Sequence, residues 1–150
     1  LDLEGRVIGV NSAILSSSGT NSGVGFSIPV NAVKRVAPAL IASGEYLYPY
    51  MGIRMTSLDI SAQEQLGLSQ NAGAYVTDVG AGSPSDAAGL IGRDGPGGDL
   101  ITKIDDFPVN DVDDLISYLV FETVVGQTIQ VTVLRDGEEV TLPLVLGERP

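Results

Sequence analysis

Residues 82–104 read GSPSDAAGLIGRDGPGGDLITKI and carry several strong local structure signals of the 150-residue chain. The pair Ser83-Pro84 predicts a helix start, because Ser is a favoured N-cap and Pro is favoured in the first turn. That helix is expected to end at Gly89, since Gly commonly terminates helices. After a glycine-rich turn, residues 99–104 alternate into a strand. The stretch therefore predicts a helix, a turn and a strand in close succession.

The sequence on both sides completes one α+β unit. Further strands are predicted at residues 51–55, 74–79, 127–134 and 139–146, with the hairpin turn Asp136-Gly137 between the last two. Helices are predicted at residues 61–68, with Asp59 or Ser61 as the cap, and at residues 111–122. About five strands without βαβ alternation favour a small, partly open β-barrel with two or three helices.

The first 48 residues predict a smaller unit of two strands and one helix. The strands are expected at residues 6–11 and 24–29, on either side of a polar loop over residues 16–23. Asn31 is the expected cap of a helix over residues 32–43, which Pro38 should kink or shorten. Since two strands and a helix cannot bury a core alone, this unit is interpreted as a remnant of a larger domain.

Charge also divides the chain. Residues 1–48 hold three acids and three bases, whereas residues 49–150 hold 16 acids and 5 bases, which accounts for the whole net charge of −11. This shift predicts two units of different origin, at residues 1–44 and 50–148, with a linker at residues 45–49. So acidic a chain is an unlikely match for nucleic acid or an anionic membrane, which both select basic surfaces.

The chain contains neither His nor Cys. Ser-His-Asp and Cys-His catalysis are therefore excluded on this chain, as are disulfides and zinc fingers. The glycine-rich residues 93–99 and the Asp-rich residues 105–114 are interpreted as turns and helix caps, because they lack phosphate-loop and EF-hand spacing. We expect no catalytic residue, no metal and no cofactor. The longest apolar runs fall far short of the roughly 20 residues that cross a membrane.

Six motifs occur in an order that resembles a PDZ domain of the HtrA/Deg serine-protease type, over residues 49–148. They are Tyr50-Met51-Gly52-Ile53, Ala74-Tyr75-Val76, residues 82–90, residues 98–101, Asp114-Leu115, and Gly126 with the final hairpin. Each motif is weak alone, and the specificity lies in their order.

The first unit resembles the end of the trypsin-like protease domain of the same family. Residues 1–11 look like the strand pair after the nucleophile motif, residues 23–30 like the last barrel strand, and residues 31–44 like the closing helix. The resemblance implies a remnant of a chymotrypsin-like β-barrel, with the catalytic Ser, His and Asp upstream of Leu1. We therefore expect no catalysis by this chain, and a serine endopeptidase parent that is periplasmic or membrane-anchored facing outward.

The strongest candidate site is the loop Tyr50, Met51, Gly52, Ile53. A Gly between large residues at a strand start lets the backbone approach a ligand and turn its N–H groups outward. Such donors can bind the C-terminal carboxylate of a peptide. The alternative is a plain strand with a bulge at Gly52. Residues 45–49, which precede the loop, contain no Lys or Arg, although the family often has a basic residue there.

A groove beside this loop is predicted from the next strand and the helix over residues 111–122. Its expected residues are Arg54 and Met55 on the strand and Val112, Ile116 and Leu119 on the helix, where helical spacing gives one face. Leu115 and Tyr118 lie on the adjacent face. The alternative assignment gives the groove to Leu115 and Leu119.

The sequence therefore predicts a regulatory peptide-binding module. It would capture C-termini or extended segments of substrate proteins and hold them near a protease active site. The alternative is an assembly or allosteric domain that contacts neighbouring protease subunits and has little affinity for free peptides. Residues 1–48 would expose strand-forming apolar side chains, so self-association through them is also expected.

Overall fold

The computed structural model describes residues 1–15, 24–58, 60–68 and 70–150. The loop predicted over residues 16–23 and the cap predicted at Asp59 lie outside these ranges. The chain divides into two compact units, Leu1–Tyr46 and Leu47–Pro150. No helix in the described ranges is long and apolar enough to span a membrane.

The first unit contains an antiparallel strand pair and one helix. These are β1 (Gly9–Ile14), β2 (Gly25–Pro29) and α1 (Val30–Ser43). The strand predicted at residues 6–11 therefore begins three residues later, at Gly9. Both strands and the helix lie at the surface: no residue of α1 is buried, and all five residues of β2 are exposed.

The predicted start of α1 is wrong. The helix begins at Val30 with Pro29 in the N-cap position, so Asn31 is not the cap. The reason is that the Val30 N–H donates to the Ile8 carbonyl at 2.9 Å, which ties the first turn to the chain before β1. The helix also continues through Pro38 to Ser43, so of the two effects predicted for Pro38, a kink or a shorter helix, the shortening does not occur.

The second unit is built on open antiparallel sheets. Its elements are β3 (Pro49–Tyr50), β4 (Ile53–Ser57), α2 (Ile60–Leu66), β5 (Ala74–Val79), α3 (Pro84–Ala88), β6 (Leu100–Ile104), β7 (Phe107–Pro108), α4 (Val112–Glu122), β8 (Thr128–Arg135), β9 (Glu138–Val145) and β10 (Gly147–Glu148). The main sheet runs β4-β5-β6-β8-β9 with β7 beside β6, and β3 pairs with β10. The α+β prediction is confirmed.

The core of this unit follows the period-2 pattern of its strands. On β8, Ile129, Val131 and Val133 are fully buried, because alternate side chains of a strand face the same side. Leu115 of α4 and Leu144 of β9 are also completely buried and belong to the same cluster. Strand alternation thus accounts for the residues of β8 that enter this core.

Several local signals form as predicted. The Ser83 hydroxyl accepts a hydrogen bond from the Asp86 N–H at 3.2 Å at the start of α3, and Gly89 ends that helix. Asp111 accepts from the Asp114 N–H at 2.9 Å at the start of α4. Asp136 and Gly137 have φ of 51° and 85° in the β8–β9 turn, as a type I′ hairpin requires.

A buried ion pair fastens the glycine-rich turn to the β8–β9 hairpin. The carboxylate of Asp99, which is fully buried, accepts from Nε and Nη2 of Arg135 at 2.8 and 2.7 Å. The same carboxylate accepts from the Ile91 N–H at 2.9 Å, and Arg135 also donates to the Gly89 carbonyl. The turn over residues 91–99 is therefore held from both ends.

Candidate functional site

A mostly apolar cavity of about 310 Å³ opens beside α4 in the second unit. It is lined by Tyr48, Pro49, Tyr50, Met51, Gly52, Ile53, Met55, Leu115, Ile116, Leu119, Val120 and Arg149. The size is at the lower end of the range of ligand sites, and a few polar groups among apolar walls are typical of such sites.

The strand at this cavity has a free edge. In the described part of the chain, β4 pairs with β5 alone and stands at the end of the sheet order. The helix α4 packs against β3 and β4. An extended segment could therefore add to the edge of β4 through main-chain hydrogen bonds, with α4 as the other wall.

The backbone before β4 is fixed in an unusual conformation by Gly52. Its φ is +82°, and a Cβ at this position would lie 2.3 Å from the Cβ of Ser83, so no larger residue fits. The Met51 carbonyl accepts from the Ser85 N–H at 3.0 Å, and the Gly52 carbonyl accepts from the Gly80 N–H at 2.9 Å. Because trans peptides are planar, the N–H groups of Gly52 and Ile53 point the opposite way.

A second feature of this loop concerns the N–H groups of Met51 and Gly52. Among the described residues, nothing accepts a hydrogen bond from the N–H of Met51 or of Gly52, although both residues are buried. Buried N–H groups are almost always paired in native proteins. Successive N–H donors form an anion-binding concavity, so an acceptor such as a carboxylate fits here.

The helix α4 contributes two kinds of side chain to the cavity. Leu115 is fully buried in the core, whereas Ile116 is 47% exposed. Ile116, Leu119 and Val120 stand at i, i+3 and i+4, so they share one helix face toward the cavity. Each of the two sets of helix residues predicted to form the groove therefore includes residues that line the cavity.

The structure brings most of the predicted site residues together. Those at the cavity are Tyr50, Met51, Gly52, Ile53, Met55, Ile116 and Leu119. The side chain of Arg54 is 83% exposed and lies 3.8 Å from Asp78, because alternate residues of a strand face opposite sides. Val112 packs against the core, and its N–H donates to the Ser57 hydroxyl at 3.1 Å. Neither Arg54 nor Val112 lines the cavity.

Four lining residues were missed from the sequence. Val120 follows Ile116 by four residues, and this helical spacing could have indicated it. Tyr48, Pro49 and Arg149 reach the cavity because β3 pairs with β10, and the Arg149 N–H donates to the Tyr48 carbonyl at 3.1 Å. Strands of two residues have no periodicity, so no sequence signal marks this pairing.

The acidic residues near α4 have structural partners. Asp105 accepts from the Tyr118 hydroxyl and from the Gln130 N–H, both at 2.8 Å. Burial, together with this hydrogen bond to Asp105, raises the pKa of Tyr118 to about 12. Hydrogen bonds from Asn110 lower the pKa of Asp114. These contacts agree with the interpretation of the Asp-rich segment as turns and caps.

Comparison with known sequences gives a match for both units. The family described as PDZ domain matches residues 49–146. The probable periplasmic serine endoprotease DegP-like of Rhizobium meliloti (strain 1021) is 36% identical over 149 residues, which are 99% of this chain and 28% of the relative. The chain thus spans less than a third of that relative's length.

Solved structures match the fold. The HtrA-type protease AlgW with decapeptide superimposes with a TM-score of 0.80 and 34% identity, over 97% of this chain and 43% of that one. The HtrA3 PDZ domain bound to a phage-derived ligand (FGRWV) gives a TM-score of 0.58 and 22% identity, over 69% of this chain and 89% of that one. The second likeness supports the fold alone.

Proposed function

The chain belongs to the PDZ domain family through residues 49–146, and on that premise we propose that it is the peptide-binding module of an HtrA-like serine endopeptidase. Its ligands are C-termini or extended segments of substrate proteins, and their capture regulates the protease. The observation that carries this proposal is the cavity, which brings together an apolar groove and the N–H groups of Met51 and Gly52 that no described residue pairs with.

The geometry suggests one mode of binding. The terminal carboxylate of the peptide accepts hydrogen bonds from the N–H groups of the loop around Gly52. The last side chain, which is apolar, enters the cavity between Met55 and Ile116. The preceding residues extend along the free edge of β4 and add a strand to the sheet.

A titration tests the proposal. A fluorescent peptide that ends in a free, apolar residue should bind the whole chain saturably, with a micromolar or weaker Kd. Its C-terminal amide should bind about ten- to over a hundredfold more weakly, since hydrogen bonds to a charged group contribute about 1.5–3 kcal/mol. Equal affinity for acid and amide would refute carboxylate capture and favour the assembly-domain alternative.

We also propose that the first unit associates with a second copy of the chain. Val10, Ile14, Phe26 and Ile28 on its two strands are each between 45% and 56% exposed. In the longer protein, the rest of a protease barrel would cover these side chains. Without that cover, a two-stranded sheet with exposed apolar faces and open edges favours pairing with another chain.

The parent protein is proposed to act outside the cytoplasm. This rests on the relative from Rhizobium meliloti, whose name places it in the periplasm.

A further inference from the structure

Although the walls of the cavity are mostly apolar, one charged residue is among them. Residues 49–150 carry 16 acids against 5 bases, so the unit as a whole repels an anionic ligand. Among the twelve residues that line the cavity, Arg149 is the one that carries a charge. A carboxylate that approaches the cavity therefore meets a local positive charge within a negative surface.

The fold holds Arg149 at this position through its backbone. Glu148 pairs with Pro49 in the β3–β10 sheet, and the Arg149 N–H donates to the Tyr48 carbonyl at 3.1 Å. Gly147 allows this approach, because a Cβ there would lie 2.8 Å from Cγ of Pro84. The position of Arg149 thus follows from a specific strand pairing.

The guanidinium of Arg149 is available to a ligand. Among the described residues it forms no ion pair and no side-chain hydrogen bond. By contrast, Arg135 is paired with Asp99 at 2.7 Å, and Arg54 lies 3.8 Å from Asp78. A guanidinium prefers carboxylate partners, which it binds through two parallel hydrogen bonds.

We propose that Arg149 pairs with the C-terminal carboxylate of the bound peptide and makes the site selective for free chain ends. This inference rests on the proposed function. The N–H groups of the loop around Gly52 fix the orientation of the carboxylate, while Arg149 supplies the charge that residues 45–49 lack. The two contributions differ in one respect: the attraction by Arg149 is weakened by salt.

The test compares R149Q with the whole wild-type chain. The probes are one apolar peptide as its free acid and as its C-terminal amide, each titrated at low and at high salt. R149Q should bind the acid about fivefold more weakly at low salt, as for an exposed charge pair, and the amide unchanged. The difference between R149Q and wild type should shrink at high salt. R149K should retain part of the preference for the acid.

R93Q is the matched control, because it also removes one exposed cation from the same unit but at a residue outside both the cavity lining and the strand β4. It should leave both affinities unchanged. If R149Q keeps the wild-type ratio of acid to amide affinity, or weakens both probes equally, the inference is refuted while the proposed function stands. If the wild-type chain binds neither probe, the proposed function fails and this inference fails with it.

Discussion

At the scale of single residues, the pair Asp99–Arg135 shows how burial changes the contribution of an ion pair to the stability of the fold. The side chain of Asp99 has no exposed surface, and that of Arg135 is 25% exposed. The pair Arg54–Asp78 is 83% and 58% exposed and longer, at 3.8 Å. A buried carboxylate without its cation is costly, whereas an exposed pair contributes little because water and salt screen it.

We therefore expect Arg135→Met to lower the free energy of unfolding by about 3 kcal/mol, at the low end of the cost of breaking a buried pair, since Arg135 keeps some exposure. Arg54→Met, the control with the same change of side chain, should cost less than about 1 kcal/mol. Urea unfolding followed by circular dichroism measures both. Similar losses in the two variants would show that the Asp99 carboxylate does not depend on Arg135.

At the scale of secondary structure, two neighbouring positions of α4 have different environments: one lies in the core and the next is half exposed at the cavity. Leu115 is fully buried in the core, and the neighbouring Ile116 is 47% exposed at the cavity. The helix begins with the Asp111 cap, and Asp113 and Asp114 in its first turn suit the helix dipole. Substitutions at these two neighbouring positions should therefore have different consequences.

Ile116→Asp should weaken peptide binding about tenfold and change stability little, because the new carboxylate would face the apolar ligand side chain in a position that is already half exposed. Ser117→Asp adds the same charge one residue later, at an exposed position outside the cavity lining, and should leave binding unchanged. Fluorescence titration with the free-acid peptide measures both variants. Wild-type affinity in Ile116→Asp would exclude this face of α4 from the groove.

The elements that the sequence predicted well are those with strong local signals. The Ser-Pro start and Gly end of α3, the Asp-Gly hairpin and the alternating strand β8 all occur as expected. The resemblance to the HtrA/Deg PDZ type is confirmed by the family match and the relatives. The sequence did not show that α1 begins at Val30 instead of after a cap at Asn31. This start is fixed by a hydrogen bond from the Val30 N–H to the Ile8 carbonyl, which is distant in the sequence.

The candidate site was likewise predicted only where the local sequence carries a strong signal. The Gly52 loop could be recognised because only Gly tolerates its φ of +82°. Arg54 was placed in the groove although strand alternation turns its side chain away from the cavity that its neighbours Ile53 and Met55 line. Arg149 was missed because its place depends on a long-range pairing of very short strands.

At the scale of the whole chain, the two units differ in how completely they bury their apolar residues. The unit Leu47–Pro150 contains the buried core cluster. The unit Leu1–Tyr46 leaves apolar side chains exposed on both strands, and its helix has no buried residue. Self-association is therefore expected to depend on the first unit.

We expect the full chain to form dimers or larger species, and a shortened chain of residues 47–150 to be monomeric and at least as soluble. Analytical ultracentrifugation over a range of concentrations measures both masses. Limited proteolysis adds a second readout, because association should protect residues 1–15 as the concentration rises. A monomeric full chain whose first residues are cleaved equally fast at every concentration would contradict the proposal.

The pairing of β3 with β10 also governs how the second unit would respond to a mechanical load. Since the strands are antiparallel and Pro49 faces Glu148, the two ends of the unit leave it side by side. A pull that separates them would break the Arg149–Tyr48 hydrogen bond first and then unzip the pair bond by bond. The six-stranded sheet would bear no tension until that pair had parted. Stretching the chain would thus part Arg149 from Tyr48, which both line the cavity, before it unfolded the main sheet.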